Sequence, residues 1–288
     1  MGRRKKEDLL YGRITPDNAV EKQEFWAERL GIPVDMENSM GMRFRLIPAG
    51  EFMMGGGRWD NARPIHLVKI TMPFYMGVYP VTHREWKTIT GRNPSAFKGG
   101  NRPVELVSWN QVQEFIEILN SREESKLYRL PTEAEWEYSC RSGSEGNYCF
   151  GNNFTKLGGY AWYGNNSGDR LLDVERIRRE VGIEEYLQRL LDNNCRSQPV
   201  GKKKPNRFGI YDMHGNVWEW CQDLYSKGYY KRSEAVDPTG PVEGNTRVFR
   251  GGCWSSSPDR CMSSHRSHLS PDFRNGGLGF RLVRGIDL

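Results

Sequence analysis

The chain has 288 residues, 37% hydrophobic and 12% aromatic, with nine Trp, 32 Gly and a net charge of +6. That length can bury a sizeable core, while low apolar content and frequent glycine argue against a helix bundle and for a core of a few large aromatic plates. No apolar run nears the ~20 residues of a membrane span, and no apolar stretch follows the basic start MGRRKKEDLL, so neither anchor nor secretory leader is expected and the cytoplasm is the expected location. Lys6 stands where a myristoylation motif wants Ser or Thr. Arg3, Arg4, Lys5 and Lys6, and the run Lys202, Lys203 and Lys204, read as solvated charge, and no motif supports nucleic-acid binding. The six Cys include no CxxC pair and read as reduced or buried thiols.

Residues 1–37 are polar and charged. Asn18 to Leu30 reads as a short amphipathic helix with Val20, Phe25, Trp26 and Leu30 as its apolar set, an N-terminal extension ahead of a main domain over 38–288. MRFRLIPAGEFMMGG predicts two strands and a turn, and HLVKITMPFYMGVYPVT further strand. Thr82 should cap a helix that stops at Gly91, and Ser108 a second whose Val112, Phe115, Ile116 and Leu119 fall at helical spacing. Thr132 and Glu135 form a capping box, with Trp136 and Tyr138 as core anchors. Residues 167–197 are charged and helical in pattern, two short helices inserted into a glycine- and tryptophan-rich domain. They are either a surface decoration or a partner-docking element, because an amphipathic face must be buried on something. The final FRLVRG should be a closing strand. Arg250 to Gly279 has almost no apolar periodicity and is expected to be irregular and near the surface, held by Trp254 and Phe280.

The ordered motifs IPAGEFMMGG, PFYMGVYPVTHREW, RPVELVSWNQVQEF, YRLPTEAEWEYSCRSG, YDMHGNVWEWCQD, RVFRGGCW and GFRLVR resemble the formylglycine-generating enzyme (sulfatase-modifying factor) family over residues 38 to 286. The resemblance implies an α+β, C-type-lectin-like fold: small twisted sheets, two main helices and many irregular loops. The 167–197 segment lies outside the pattern. In GNVWEW, Trp218 and Trp220 flank Glu219, whose charge needs a partner if buried. The resemblance implies a structural Ca²⁺ held by Gly215, Asn216, Val217 and Glu219, an oxygen donor set that suits the ion. The alternative is a buried Arg paired with Glu219.

The family's oxidase carries two thiols that bind Cu⁺. In GGCWSSSPDRC the second position is Cys261, but the first is Ser256, whose hydroxyl cannot replace a thiolate. Cys253 falls where the family has a serine. If the chain is an enzyme, Cys261, Cys253 and Ser256 are the candidates, and the reading leans against catalysis. His66, His83, His214, His265 and His268 show no metal-ligand spacing.

The segment from Arg250 also resembles the C-terminal repeat of variable proteins diversified by retroelements. Ser255, Ser256, Ser257, His265, Ser267, His268, Leu269, Phe273, Gly276 and Gly277 stand where Asn is expected, between framework positions such as Gly251, Gly252, Arg266, Arg274 and Arg281. A ligand or protein is therefore expected on the 247–284 surface, at Trp254, Ser255, Ser256, Ser257, Asp259, His265, Ser267, His268, Leu269, Phe273 and Asn275. Of these, Ser255, His265, His268 and Phe273 should be exposed on one face, since small polar residues adapt while His and Phe anchor.

Overall fold

In the computed structural model, which describes residues 7–10 and 12–287, helix α1 (Ala19–Leu30) ends on Gly31 in the left-handed region (φ 65°). Of its predicted apolar set, Phe25, Trp26 and Leu30 pack on the core, but the buried face is wider and leaves Val20 out. Val20 is 52% exposed, whereas Lys22, Gln23, Trp26 and Ala27 point inward. Lys22 tolerates this because its Nζ donates to the carbonyls of Leu9 and Gly12, at 3.1 and 2.8 Å. Burial lowers its pKa to about 8. The Gln23 amide donates to Leu46 O and Phe208 O, and the Ile14 N–H to Glu51 O, so the segment ahead of residue 38 is tied into the domain. Arg3, Arg4, Lys5 and Lys6 lie outside the described residues.

The strands that follow are β1 (Asp35–Glu37), β2 (Arg43–Ile47), β3 (Gly50–Met54), β4 (His66–Ile70) and β5 (Phe74–Gly77). Thr82, Ser108 and Thr132 then each complete a capping box, with Glu85, Gln111 and Glu135 reaching back to the cap amide. They start α2 (His83–Thr90), α3 (Trp109–Arg122) and α4 (Glu133–Arg141), and the short strand β6 (Tyr128–Arg129) lies between the last two. The predicted apolar face of α3 is buried in full, and so are Trp136 and Tyr138.

Residues 167–197 carry the two predicted helices, α5 (Val174–Glu180) and α6 (Ile183–Asp192). Beyond them come β7 (Trp218–Leu224), β8 (Arg247–Arg250), β9 (Arg266–Leu269), β10 (Leu278–Phe280) and β11 (Val283–Arg284). The strands form a five-stranded sheet, β1-β2-β5-β11-β6, a four-stranded sheet, β10-β7-β8-β9, and the β3-β4 hairpin. This is an α+β, C-type-lectin-like arrangement of small sheets.

Two expectations change here. FRLVRG is not one closing strand: β10 pairs in parallel with β7, then the chain turns at Arg281 and β11 enters the five-stranded sheet between β5 and β6. The turn lets the Arg281 guanidinium reach Glu219. The stretch from Arg250 to Gly279 is also less superficial than its lack of periodicity suggests. Most of residues 250–266 are buried, and the segment holds a 3₁₀ turn (Pro258–Cys261) and β9. Its polar side chains are buried because they are paired, which periodicity cannot register. All six Cys are buried and unbonded. No helix among the described residues is long and apolar enough to cross a membrane.

Candidate functional site

Helix α4 places Glu133 and Glu137 one turn apart, facing the strands that carry the C-terminal arginines. Arg266 grips Glu133 with two hydrogen bonds of 2.7 and 2.5 Å. Arg250 pairs with Glu137 and reaches Glu133 at 3.3 Å, while Arg141 Nε donates to Glu137 at 2.8 Å. Burial opposes ionisation of Glu137, but Arg141 and Arg250 outweigh it and hold its pKa below the ordinary carboxylate value. Arg281 makes a second bidentate pair, with Glu219 at 2.9 and 2.8 Å, and Trp136 Nε1 donates to the same carboxylate at 2.7 Å. These paired buried charges fix the strands on both sides of residues 251–257.

Within that frame the chain makes a tight turn. Gly251 and Gly252 have φ of 101° and 80°, and a Cβ on Gly252 would lie 2.6 Å from Cys261 Sγ. The Cys253 N–H donates to Ser256 Oγ and the Ser256 N–H to Cys253 O, both at 2.9 Å. Three successive carbonyls are then held from outside: Trp254 O by Ser167 Oγ (2.7 Å), Ser255 O by Tyr186 Oη of α6 (2.6 Å) and Ser256 O by the Gly164 N–H (2.9 Å). The insertion thus closes over the turn, burying Val174, Tyr186 and Leu190 in the main core.

Between α6 and the turn runs a groove of about 360 Å³, lined by Leu187, Leu191, Trp218, Cys253, Trp254, Ser255, Asn275, Gly276 and Gly277. Its walls are fixed. Trp254 Nε1 donates to Gly276 O (2.7 Å), Phe97 packs edge-on against the Trp254 ring, and Asn275 Oδ1 accepts from the Gly277 N–H (2.8 Å). Cys253 Sγ lies 3.3 Å from Ser255 Oγ and 3.5 Å from Ser256 Oγ. Leu187 and Leu191 are 40% and 48% exposed, leaving the α6 side of the groove apolar and uncovered. Beside Gly276, Glu105 is fully buried with Oε2 unpaired among the described residues, and burial raises its pKa to about 7 against the pull of the Phe97 and Ala96 amides.

Of the residues expected to bind ligand, Trp254, Ser255 and Asn275 meet at this groove. Ser256 is buried and holds the turn, so it offers nothing to a ligand. Ser257 and Asp259 are buried and bonded to each other, and Asp259 also pairs with Arg58. His265 is 6% exposed rather than displayed, its ring set between Trp59 and Trp218. Burial, then Arg250 and Arg260, lower its pKa to about 3, so it packs as a neutral aromatic ring. His268 is exposed but stacks on Tyr225, and Ser267 and Leu269 are half-buried on the same strand. Strand β9 lies three strand steps, roughly 14 Å, from β10, and none of these residues lines the groove. Phe273 is 43% exposed.

The two metal readings meet the same donor sets. Both Glu219 oxygens are taken by Arg281 and Trp136, which is the paired-arginine alternative. Asn216 spends its side-chain amide on Gln198 and its carbonyl on the Trp254 N–H, and a Cβ on Gly215 would lie 2.3 Å from Trp162 O. The set Gly215, Asn216, Val217 and Glu219 therefore has no free carboxylate to offer Ca²⁺, because its one charged donor is spent on Arg281 and Trp136. Nor do Cys253 and Cys261 fit Cu⁺. Ser256 takes the place of the first thiol, and Cys261 packs among Tyr148, Leu157, Ala161 and Tyr163, where burial and then the neighbouring Cys253 raise its thiol pKa well above the ordinary value.

The sulfatase-modifying factor enzyme 1-like domain model matches residues 34–286. The chain belongs to this family. It is 36% identical over 208 residues to a formylglycine-generating enzyme of Streptomyces coelicolor, a match covering 70% of this chain and 59% of that enzyme, so the chain spans less than two thirds of its length. It is 31% identical over 271 residues to the chaperone protein LppX of Paenibacillus barcinonensis, covering 81% of this chain and 88% of the relative. Among solved structures, Treponema denticola variable protein 1 superposes with a TM-score of 0.75 at 29% identity, over 88% of this chain and all of that one. Within this sulfatase-modifying-factor-like domain, the groove residues that sequence reasoning left out of the site are Trp218, Gly276, Gly277, Leu187 and Leu191. The i, i+4 spacing of Leu187 and Leu191 on α6 was a usable signal. Trp218 carried none, since an alternating Trp in a strand reads equally well as core.

Proposed function

We propose that the chain is a binding module whose ligand seats its apolar part in the groove between α6 and the Cys253–Ser255 turn, with Ser255 and Asn275 at the polar edge. The observation that carries this is the groove itself. It has two Trp walls, a volume within the roughly 300–1,000 Å³ usual for small-ligand sites, and a turn whose carbonyls are pinned in place before any ligand arrives. Ser256, which stands where the family's oxidase has its first thiol and is bonded to the Cys253 N–H, supports binding over a copper-dependent oxidase. That oxidase is the second reading, favoured by the likeness to the Streptomyces enzyme. The names of the Paenibacillus and Treponema relatives, a chaperone and a variable protein, are in keeping with a binding role.

Diversification by a retroelement is part of the proposal only for exposed positions such as His268 and Phe273, because Ser256 and His265 are structural here. An adenine-rich template repeat and a reverse-transcriptase gene beside this gene are its expected signs, and a neighbourhood with neither refutes it. The groove is tested by a fragment screen read through tryptophan fluorescence. Aromatic or aliphatic fragments should quench or shift Trp218 and Trp254 and lose about tenfold in affinity in Leu187→Asp/Leu191→Asp. Fragments that bind the variant equally well place the site elsewhere.

A further inference from the structure

The turn that forms one wall of the groove also lines a separate cleft, of about 570 Å³, on the side of Ser257 and Arg260. Arg58 comes from the glycine-rich loop after β3, Arg178 and Arg179 from α5, and Arg260 from the 3₁₀ turn. Two carboxylates accompany these four guanidinium groups. Asp259 is already spent: Arg58 and the Ser257 hydroxyl bind it, and although burial works against its charge, Ser257 and Arg58 hold its pKa below the ordinary value. Glu175 stands alone against the rest. Among the described residues the guanidinium groups of Arg178, Arg179 and Arg260 make no hydrogen bond or ion pair, in contrast to Arg176, which is paired with Glu180 on the same helix. Arg260 is half-buried, and burial and then the neighbouring Arg178 lower its pKa. Three unpaired guanidinium groups are thus gathered in a concave site with Glu175 as the one carboxylate there not already bonded.

Helix α5 is not free to swing these side chains away. Asp173 accepts from the Arg176 N–H at its start, and Val174 is fully buried in the main core. Guanidinium groups carried on an anchored helix and turn suit the planar, multiply charged face of an oxyanion, where each charge-assisted pair is worth more than a neutral hydrogen bond.

We propose that this cleft binds a multiply charged oxyanion, a phosphate group or clustered carboxylates, carried by the ligand, and that the inserted helix α5 builds the site by adding Arg178 and Arg179. The site is distinct from the apolar groove and stands or falls separately.

The test is calorimetric titration of the full chain with pyrophosphate and with citrate, against chloride at matched ionic strength. One of the two should bind and raise Tm. Tighter pyrophosphate binding assigns the site to phosphates, and tighter citrate binding to carboxylates. Arg178→Glu/Arg179→Glu, at two exposed positions, should weaken binding by about tenfold or more while its melting curve stays cooperative. Neither anion exceeding chloride, or equal binding by the arginine variant, overturns the proposal.

Discussion

Arg250, Arg266 and Arg281 share one C-terminal stretch with Ser255, His268, Phe273 and Asn275, yet the two sets are treated differently by the fold. The arginines are fully buried and matched to Glu133, Glu137 and Glu219. The second set lies at or near the surface, on backbone that those pairs hold in place. An ionic frame and a surface loop are thus interleaved residue by residue. The comparison teaches that tolerance to change along this stretch should alternate too, between positions where a single substitution strands a buried charge and positions where it alters only what the surface offers.

The largest expected effect falls on the frame. Glu219→Gln or Arg281→Met leaves a partner charge buried and unpaired, and should cost about 3–5 kcal/mol in urea denaturation, whereas Glu219→Met/Arg281→Met should recover much of that loss. Equal stability of the single variants and wild type would remove the distinction between the two sets. The next effect is a pH dependence. His83, His214 and His265 are buried with pKa values lowered to about 4, 4 and 3, chiefly by burial. Each binds its proton more readily when unfolded, so stability should fall as pH drops from 6.5 toward 4. Asp223 acts in the opposite sense over an overlapping range, as do Glu105 and Asp212, whose pKa values burial raises to about 7 and about 6. Burial and then Glu133 raise the Asp223 pKa to about 8 from an ordinary 3.8, so the folded state holds the extra proton and stability should decline as pH rises through that window. Chemical denaturation across pH checks both signs, because Asp223→Asn should remove its share of the decline between about pH 4 and 8 and leave the histidine contribution in place.

Smaller effects belong to the insertion. Tyr186→Phe removes the hydrogen bond to Ser255 O and should cost about 1 kcal/mol, with looser ligand binding in the groove as its second readout. Arg189→Ala breaks only an exposed i, i+4 pair with Glu185 and should change stability by less than about 0.5 kcal/mol. A larger loss there would mean that the outer face of α6 is covered by something.

Local signals were the legible ones. Thr82, Ser108 and Thr132 act on amides three residues away, and the helical spacing of Val112, Phe115, Ile116 and Leu119 reports one buried face, so caps and core were readable from short windows. The ordered family motifs carried the fold. What could not be read was pairing across the chain. Glu219 finds Arg281, and Glu133 finds Arg266, only once the sheets are assembled. The inward face of α1 depends on carbonyl acceptors for Lys22 that no hydrophobic pattern encodes. His265 resembles the exposed His268 in sequence, and Trp59 and Trp218 decide that it is buried. Trp254, Ser255 and Asn275 of the expected set meet at one groove, while Ser256 and His265 are drawn inward by contacts that form only in the folded chain.

Cys253 faces the groove, and Ser256 stands where the family's oxidase has its first thiol, so the turn is proposed to serve binding and not copper chemistry. Competitive titration of the reduced protein with Cu⁺ against a chromophoric chelator tests this most directly. The account predicts no high-affinity dithiolate site, with Cys253→Ser and Cys261→Ser indistinguishable from wild type. One tightly bound Cu⁺ per chain, lost in either variant, would contradict it.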